Sequence, residues 1–364
     1  MLLIFLVILA ALVFTYINGF HDTANSIATV VATKVLTPRQ AVMLAAVTNL
    51  VGAFLGTAVA STIASGLVKA EFATSEVLIC ALVAAIFWNL LTWWFGLPSS
   101  SSHALVGGLC GACIAAAHDN WAVLIWSEPS ADHWWKSKGI LWKVVVPMVT
   151  SPICGLVLGF LVMGVLYFLL RNWRPATVTR TFGFLQLLSS GYMGVSHGMN
   201  DAQKTMGIIA LALLTGTTAG HFAGLPDWLG FLRTEAPAPG QPLPIARWIV
   251  IVCALTMCAG TALGGWRIIK TLGHKMVRLY PVHGFAAETT SATILMTAAH
   301  FGMPVSTTHA VTTSIMGVGC AKGWNHLKLS VVERIIWAWI LTLPASGLMA
   351  YASVRLARVC GWIP

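Results

Sequence analysis

The sequence predicts an all-α polytopic membrane protein made of two inverted repeats, and three observations predict it. Only 9% of the 364 residues are Asp, Glu, Lys or Arg, and 57% belong to the hydrophobic set, where a soluble domain carries about 25% charged residues. Apolar runs recur, as in 1-MLLIFLVILAALVF-14, 155-GLVLGFLVMGVLYFLL-170 and 247-RWIVIVCALTMC-258. Three short motifs of the first half return, in the same order, in the second. A mean hydropathy of +0.82 excludes a soluble enzyme, a nucleic-acid binder and a disordered tail. In lipid the backbone must satisfy its own hydrogen bonds, which helices do.

The formal net charge is +10, yet no basic stripe with interleaved aromatics appears, so no nucleic-acid partner is expected. The bilayer itself is the expected surroundings. The 16 Trp fit interfacial anchors, for example Trp93-Trp94 and Trp134-Trp135 beside span ends. The N-terminus lacks the basic n-region and cleavage site of a signal peptide. Most of the eight Cys, Cys110 and Cys113 among them, lie in apolar segments without metal-ligand partners.

Ten apolar segments follow in order: 1–33, 40–66, 76–95, 98–117, 140–170, 181–214, 247–266, 284–300, 303–321 and 331–356. Alternating chain direction divides the connecting segments into two sets. One holds 12 basic residues against a single acid, Glu333; the other holds eight basic residues and seven acids. The positive-inside rule makes the first set cytoplasmic and puts both termini outside. Four formal charges then remain at membrane depth: Asp22, Asp201, Lys204 and Glu288. Each is costly there and therefore a functional candidate.

The repeat divides the chain into 1–175 and 176–364. 19-GFHDTANS-26 pairs with 198-GMNDAQKT-205 at an offset of 179, 49-NLVGAFLG-56 with 257-MCAGTALG-264 at 208, and 96-GLPSSSSHALVGG-108 with 302-GMPVSTTHAVTTS-314 at 206. The Pro-rich stretch within 218–247 accounts for the change and reads as an external loop insertion. Five segments per repeat is an odd number, so the second repeat is inverted. Inverted repeats with broken segments mark secondary transporters. Segments three and four, and eight and nine, are separated only by Gly96-Leu97-Pro98 and Gly302-Met303-Pro304. Each pair is expected to form a re-entrant hairpin, with the two tips approaching near the midplane.

Pro98 and Pro304 are expected to start half-helices. Ser100, Ser101 and Ser102 follow in one repeat, Ser306, Thr307 and Thr308 in the other. First-turn amides and rotatable hydroxyls facing each other suit a tetrahedral oxyanion, and Lys204 adds a cation. Small residues also serve close helix packing; the matched pair after a proline favours the anion site. Asp22 and Asp201 each interrupt an apolar segment beside the amides Asn25, Asn200 and Gln203; carboxylate, amide and unwound backbone carbonyls would be oxygen ligands for a cation or a proton relay. An Asp201–Lys204 structural pair is the alternative for the second aspartate. Glu288 reads equally as a second cation or proton site or as a hydrogen-bonded structural carboxylate. His21, His103, His197 and His309 sit at or beside the motifs and can relay protons, though packing is the commoner role. No GxSxG elbow or HExxH motif points to an enzyme. A passive anion channel is the competing class, and the buried acids argue for coupling instead.

These stretches, with 19-GFHDTANSIATVVATKVLTPRQA-41 and 194-GVSHGMNDAQKTMGIIALAL-213, resemble the inorganic phosphate transporter (PiT) family, most closely its low-affinity members from Gram-negative bacteria. The resemblance runs in order over essentially the whole chain. It implies an inverted-repeat fold, often dimeric, moving inorganic phosphate with a proton or sodium ion, and no cofactor. Asp22, Asn25, Asp201 and the hairpin hydroxyls would then line the phosphate and cation sites. His21 and Lys204 stand where many members have Asn, and Ser101-Ser102 where Thr-Thr is common. An extra imidazole and ammonium could replace a sodium ion, which favours proton symport. Related Gram-negative proteins carry phosphate with a divalent metal as a neutral complex, and some members carry sulfate. The expectation is a proton-coupled phosphate importer of the bacterial inner membrane, in which Asp22, Asp201, Glu288, His21 and Asn200 handle the cation. Asn25, Gln203, Lys204 and the six hairpin residues would hold phosphate.

Overall fold

The computed structural model describes residues 1–130, 133, 137–237, 241, 243–323 and 327–363, with His274 and Lys275 described in backbone only. Trp134-Trp135, two of the expected anchors, and part of the Pro-rich stretch lie outside the described residues. The first half contains α1 (Leu2–Ala32), α2 (Pro38–Ala53), α3 (Ala58–Ser65), α4 (Ser75–Phe95), α5 (Ser101–Ala116) and α6 (Val146–Leu170). The second contains α7 (Pro175–Thr218), α8 (Arg247–Leu263), α9 (Trp266–Lys270), α10 (Pro281–His300), α11 (Thr307–Lys322) and α12 (Leu329–Val359). Strand pairing among the described residues is confined to two isolated bridges in the connecting segments.

α1, α4, the stretch ending in α6, and α12 are each long and apolar enough to cross a membrane. Two further spans are broken: α2 and α3 meet at 67°, and α8 and its continuation through α9 meet at 57°. The broken helices are therefore present, but not at the aspartates. α1 and α7 run unbroken through Asp22 and Asp201. The carboxylates find side-chain partners, so the i→i−4 ladder need not open to serve them.

The halves interlock rather than sit side by side. α5 of the first half packs on α12 of the second, and α11 of the second on α6 of the first. α2 likewise crosses α7, while α8 crosses α1. Glycine makes the second pair of crossings possible. A Cβ at Gly198 would lie 2.2 Å from the Asn49 carbonyl oxygen, and one at Gly260 would lie 2.2 Å from that of Tyr16. Their repeat mates Gly19 and Gly52 stand on the opposing helix of each crossing, equally closed to a side chain. The first two repeated motifs are thus the two surfaces of one kind of contact.

The connecting segments gather at two ends as the charge sorting requires. At one end Lys69 N donates to Val123 O, Ile125 N to Leu67 O, and Arg358 to Ala115 O and Ala116 O. At the other, Lys328 N donates to Met276 O and the Lys322 ammonium lies 5.4 Å from the Tyr280 ring centre.

Candidate functional site at the meeting hairpin tips

The α4–α5 and α10–α11 hairpins turn at Gly96 and Gly302, both left-handed, with φ +65° and +63°, a conformation glycine adopts without steric cost. Pro98 and Pro304 do not start the following helices. Each lies two residues before the N-cap, and the caps are Ser100 and Ser306, whose oxygens accept from His103 N and His309 N at 3.2 Å. Serine wins the cap because its side chain bonds an amide left free in the first turn. Each turn is braced by the short half-helix of the other repeat. Gly302 packs on Ala58 and Thr62 of α3; Gly96 packs on Arg267 of α9, and its carbonyl accepts from Thr271.

The tips then bond each other reciprocally. Ser102 Oγ donates to Val305 O at 3.0 Å, and Thr308 Oγ1 donates to Ser99 O at 2.9 Å. At the offset of 206, Ser102 corresponds to Thr308 and Ser99 to Val305, so the two bonds are mates under the repeat. The first turns of α5 and α11 therefore face one another, with their unpaired amides and hydroxyls converging. Behind them His103 and His309 pack edge to face at 4.8 Å between ring centres, and His309 also lies 4.1 Å from Trp339.

α1 and α7 supply the charges. Asp22 Oδ2 accepts from Ser101 Oγ at 2.5 Å, and its Oδ1 lies 2.8 Å from His21 Nδ1. The far nitrogen of His21 contacts Thr92 Oγ1, which also accepts from Ser99 Oγ. Asn25 Nδ2 donates to Thr307 Oγ1 and Thr308 Oγ1 at 3.2 and 3.0 Å. Asp201 Oδ1 accepts from Lys204 Nζ at 2.5 Å; its Oδ2 lies 3.4 Å from Asn18 Nδ2 and 3.3 Å from His197 Nε2. Ligating atoms of Asp22, His197 and Asp201 all fall within 4.8 Å of one another. The aspartates of the two repeats thus share one centre.

Every expected site residue is buried, none more than 2% exposed, so the centre is closed to both ends of the molecule. Three of them sit apart from the tips or have no partner. Gln203 Oε1 accepts from Val59 N and Ala60 N, capping α3. Asn200 is buried with neither amide atom hydrogen-bonded. Glu288, on α10, meets α1 one helical turn beyond Asn25, where Thr29 Oγ1 donates to Oε1 at 2.5 Å; Gln186 Nε2 donates to Oε1 at 3.0 Å, and Ser189 Oγ to Oε2.

Asn18, Thr92 and Ser99 were absent from the sequence-derived set. A signal existed for Asn18: at the offset of 179 it matches His197. Thr29, Gln186 and Ser189 carry no comparable signal. Their repeat mates and that of Glu288 are Ile208, Val7, Ala10 and Leu82, so this polar cluster has no repeat-related counterpart.

A sealed, two-repeat polar centre inside a bundle of apolar helices, with oxyanion donors facing paired carboxylates, defines a membrane transporter rather than an enzyme. The Phosphate transporter family matches residues 18–350, and the chain belongs to that family. It is 42% identical over 362 residues to a probable low-affinity inorganic phosphate transporter of Mycobacterium bovis, covering 100% of this chain and 79% of that one. It is 40% identical to a protein of the same description from Bacillus subtilis, covering 96% and 97% respectively. Its fold matches a solved structure described as the sodium-dependent phosphate transporter, with a TM-score of 0.79, 22% identity, and 99% and 100% of the two chains covered.

Proposed function

We propose that the chain imports inorganic phosphate by proton symport, through alternating access of two inverted halves, 1–175 and 176–364. The phosphate site is assigned to the facing first turns of α5 and α11, with Ser100–Ser102, Ser306–Thr308, Asn25 and Lys204; Gln203 supports it through α3. Proton handling is assigned to His21, Asp22, Asn200, Asp201 and Glu288.

The observation that carries the coupling is the state of the two central carboxylates. All four of their oxygens already have partners on this chain, among them His21 on Asp22 and Lys204 on Asp201. Such carboxylates are poorly placed to gather the oxygen shell of a sodium ion, and well placed to exchange protons with a neighbouring imidazole. Phosphate drawing the Ser101 hydroxyl to itself removes a charge-assisted bond from Asp22. A proton taken up by the His21–Asp22 pair compensates for it.

Two observations favour second readings. The structural neighbour is described as sodium-dependent, which supports sodium coupling on the same fold. The Asp22–His197–Asp201 group supports a divalent metal travelling with phosphate as substrate. We also place the protein in the inner membrane as a homodimer with periplasmic termini; the basic-residue asymmetry and the family resemblance support this.

The test is labelled-phosphate uptake into sodium-free proteoliposomes, with and without an inward proton gradient and with sulfate as competitor. Gradient-driven accumulation insensitive to sulfate is expected. Accumulation only after sodium is added transfers the coupling to sodium. A requirement for a divalent metal makes the metal–phosphate complex the substrate, and equilibration without accumulation identifies a channel.

A further inference from the structure

α6 and α12 are themselves mates under the repeat. Thr150, Pro152 and Gly155 of α6 return as Thr342, Pro344 and Gly347 of α12 at one offset, 192. Gly155 packs on Thr313 of α11 and Gly347 on Gly107 of α5, and Gly107 and Thr313 match at the offset of 206. Each long helix thus grips one hairpin in the same way.

Trp339 breaks that equivalence. Its indole N–H donates to Pro98 O at 3.1 Å, and its ring centre lies 4.1 Å from that of His309. At the offset of 192 its mate is Pro147, which has no N–H to donate. The two residues that Trp339 touches each adjoin a partner in one tip bond. Pro98 precedes Ser99, whose carbonyl accepts from Thr308 Oγ1, and His309 follows Thr308. Trp339 therefore stands behind the Thr308–Ser99 bond and touches both hairpins. The mate bond, Ser102 to Val305, is not backed in this way, because the matching position of α6 is that proline.

Both sides of the contact are anchored. Trp88 Nε1 donates to Thr342 Oγ1 at 3.0 Å, fixing α12 to the first hairpin. Ile335 of α12 shares an apolar cluster with Val305 and Val311 of the second, and Trp339 packs against it. Neither ring nitrogen of His309 has a hydrogen-bond partner among the described residues. Its ring is placed by aromatic contacts instead, with His103 and with Trp339.

The tip hydroxyls divide into two kinds. Ser101 and Thr307 turn to α1, meeting Asp22 and Asn25, whereas Ser102 and Thr308 tie one tip to the other. The ties hold the facing first turns at one spacing, and donors held at a fixed spacing bind an anion with less ordering cost.

We propose that Trp339 is a positioning residue for phosphate, backing the Thr308–Ser99 tie and so setting the spacing of the two first turns. This rests on the phosphate-transport reading.

The test follows Tm against phosphate concentration, at constant ionic strength, for the purified full-length chain in detergent micelles. The dependence gives a phosphate Kd, and the value without phosphate gives stability. The forms compared are wild type, Trp339→Phe, Thr308→Val, Ser102→Ala, and each of the last two combined with Trp339→Phe. Phenylalanine keeps a ring against His309 and removes the N–H. Trp339→Phe is expected to raise the Kd roughly three- to tenfold, the scale of one lost hydrogen bond. The rise persists beside Ser102→Ala and shrinks to less than about twofold beside Thr308→Val, since residues acting through one bond are not additive. An unchanged Kd for Trp339→Phe overturns the proposal, and a lowered Tm with it assigns Trp339 to packing alone. Equal rises in both backgrounds overturn it as well. If Trp339→Phe yields no monodisperse protein, 3-benzothienylalanine at position 339 keeps the indole shape without the N–H and is read by the same outcomes. A wild-type chain that phosphate does not stabilise overturns the phosphate reading itself.

Discussion

Lys204 and Asp201 face each other at 2.5 Å with neither side chain exposed to solvent. Removing one partner of such a pair leaves an uncompensated buried charge, at a cost of about 3–5 kcal/mol. Lys204→Met alone is expected to lower folded yield sharply. Lys204→Met with Asp201→Asn removes both charges and is expected to recover much of the yield without recovering uptake. Yield and uptake measured on all three variants separate a structural pair from a working one; recovery of uptake in the double variant would assign the pair to structure alone. At Asp22 the corresponding neutral variant, Asp22→Asn, keeps a polar group beside Ser101 and His21. It should reach the membrane and lose accumulation, and normal accumulation would remove Asp22 from the coupling role. For Ser102→Ala, losing one reciprocal tip bond, a destabilisation of about 1 kcal/mol is expected; Thr308→Val also loses the bond that Thr308 accepts from Asn25 Nδ2 and is expected to cost more. A loss in thermal stability for Thr308→Val no larger than that for Ser102→Ala would mean that the Asn25 bond adds nothing to stability.

Among the elements, the two glycine crossings set how close α1 and α7 come to their partners. Gly198→Ala would place a methyl 2.2 Å from the Asn49 carbonyl oxygen. Overpacking of this kind typically costs about 1–3 kcal/mol, so a lower Tm and a smaller monodisperse fraction are expected. A wild-type Tm would mean the crossing can spread. The crossing was half-legible in the sequence: the repeated Gly52 and Gly260 stood out, but not that each would meet a helix of the other repeat. The hairpins and their hydroxyl clusters were legible because Gly-x-Pro punctuation recurs at one register. The actual starts of α5 and α11 were not, since proline and serine both signal a helix start and only geometry decides between them. Nor did Asp22 and Asp201 break their helices. A polar residue in an apolar run can be satisfied by other elements, and sequence does not show who those partners are. Gln203 illustrates this, since its neighbours on α7 suggest the anion site while its carbonyl caps an eight-residue helix of the other repeat.

For the molecule as a whole, charge sorting and geometry agree on which connecting segments share an end, and the remaining question is which end faces out. Cys360 lies exposed just past α12, while Cys154 is exposed on the apolar stretch of α6. With periplasmic termini, a membrane-impermeant maleimide added to spheroplasts is expected to label Cys360 and to spare Cys154. Loss of the label in Cys360→Ser verifies the site. Labelling of Cys360 only after lysis would reverse the orientation.

The interlocking of the halves also dictates an order of assembly. α1 finds α8 only after residue 263 has been made, and α5 finds α12 only when synthesis is nearly complete. At elongation of about 5–20 residues per second, α1 waits roughly 12–46 s for α8. Until α7 has been made Asp22 lacks the Asp201–Lys204 pair, and until α11 has been made its hairpin tip lacks the opposing one. A carboxyl-bearing helix therefore enters the membrane before part of its final polar surroundings exists. A ribosome stalled before α8 leaves a product that quality-control proteases can recognise by its unburied polar face.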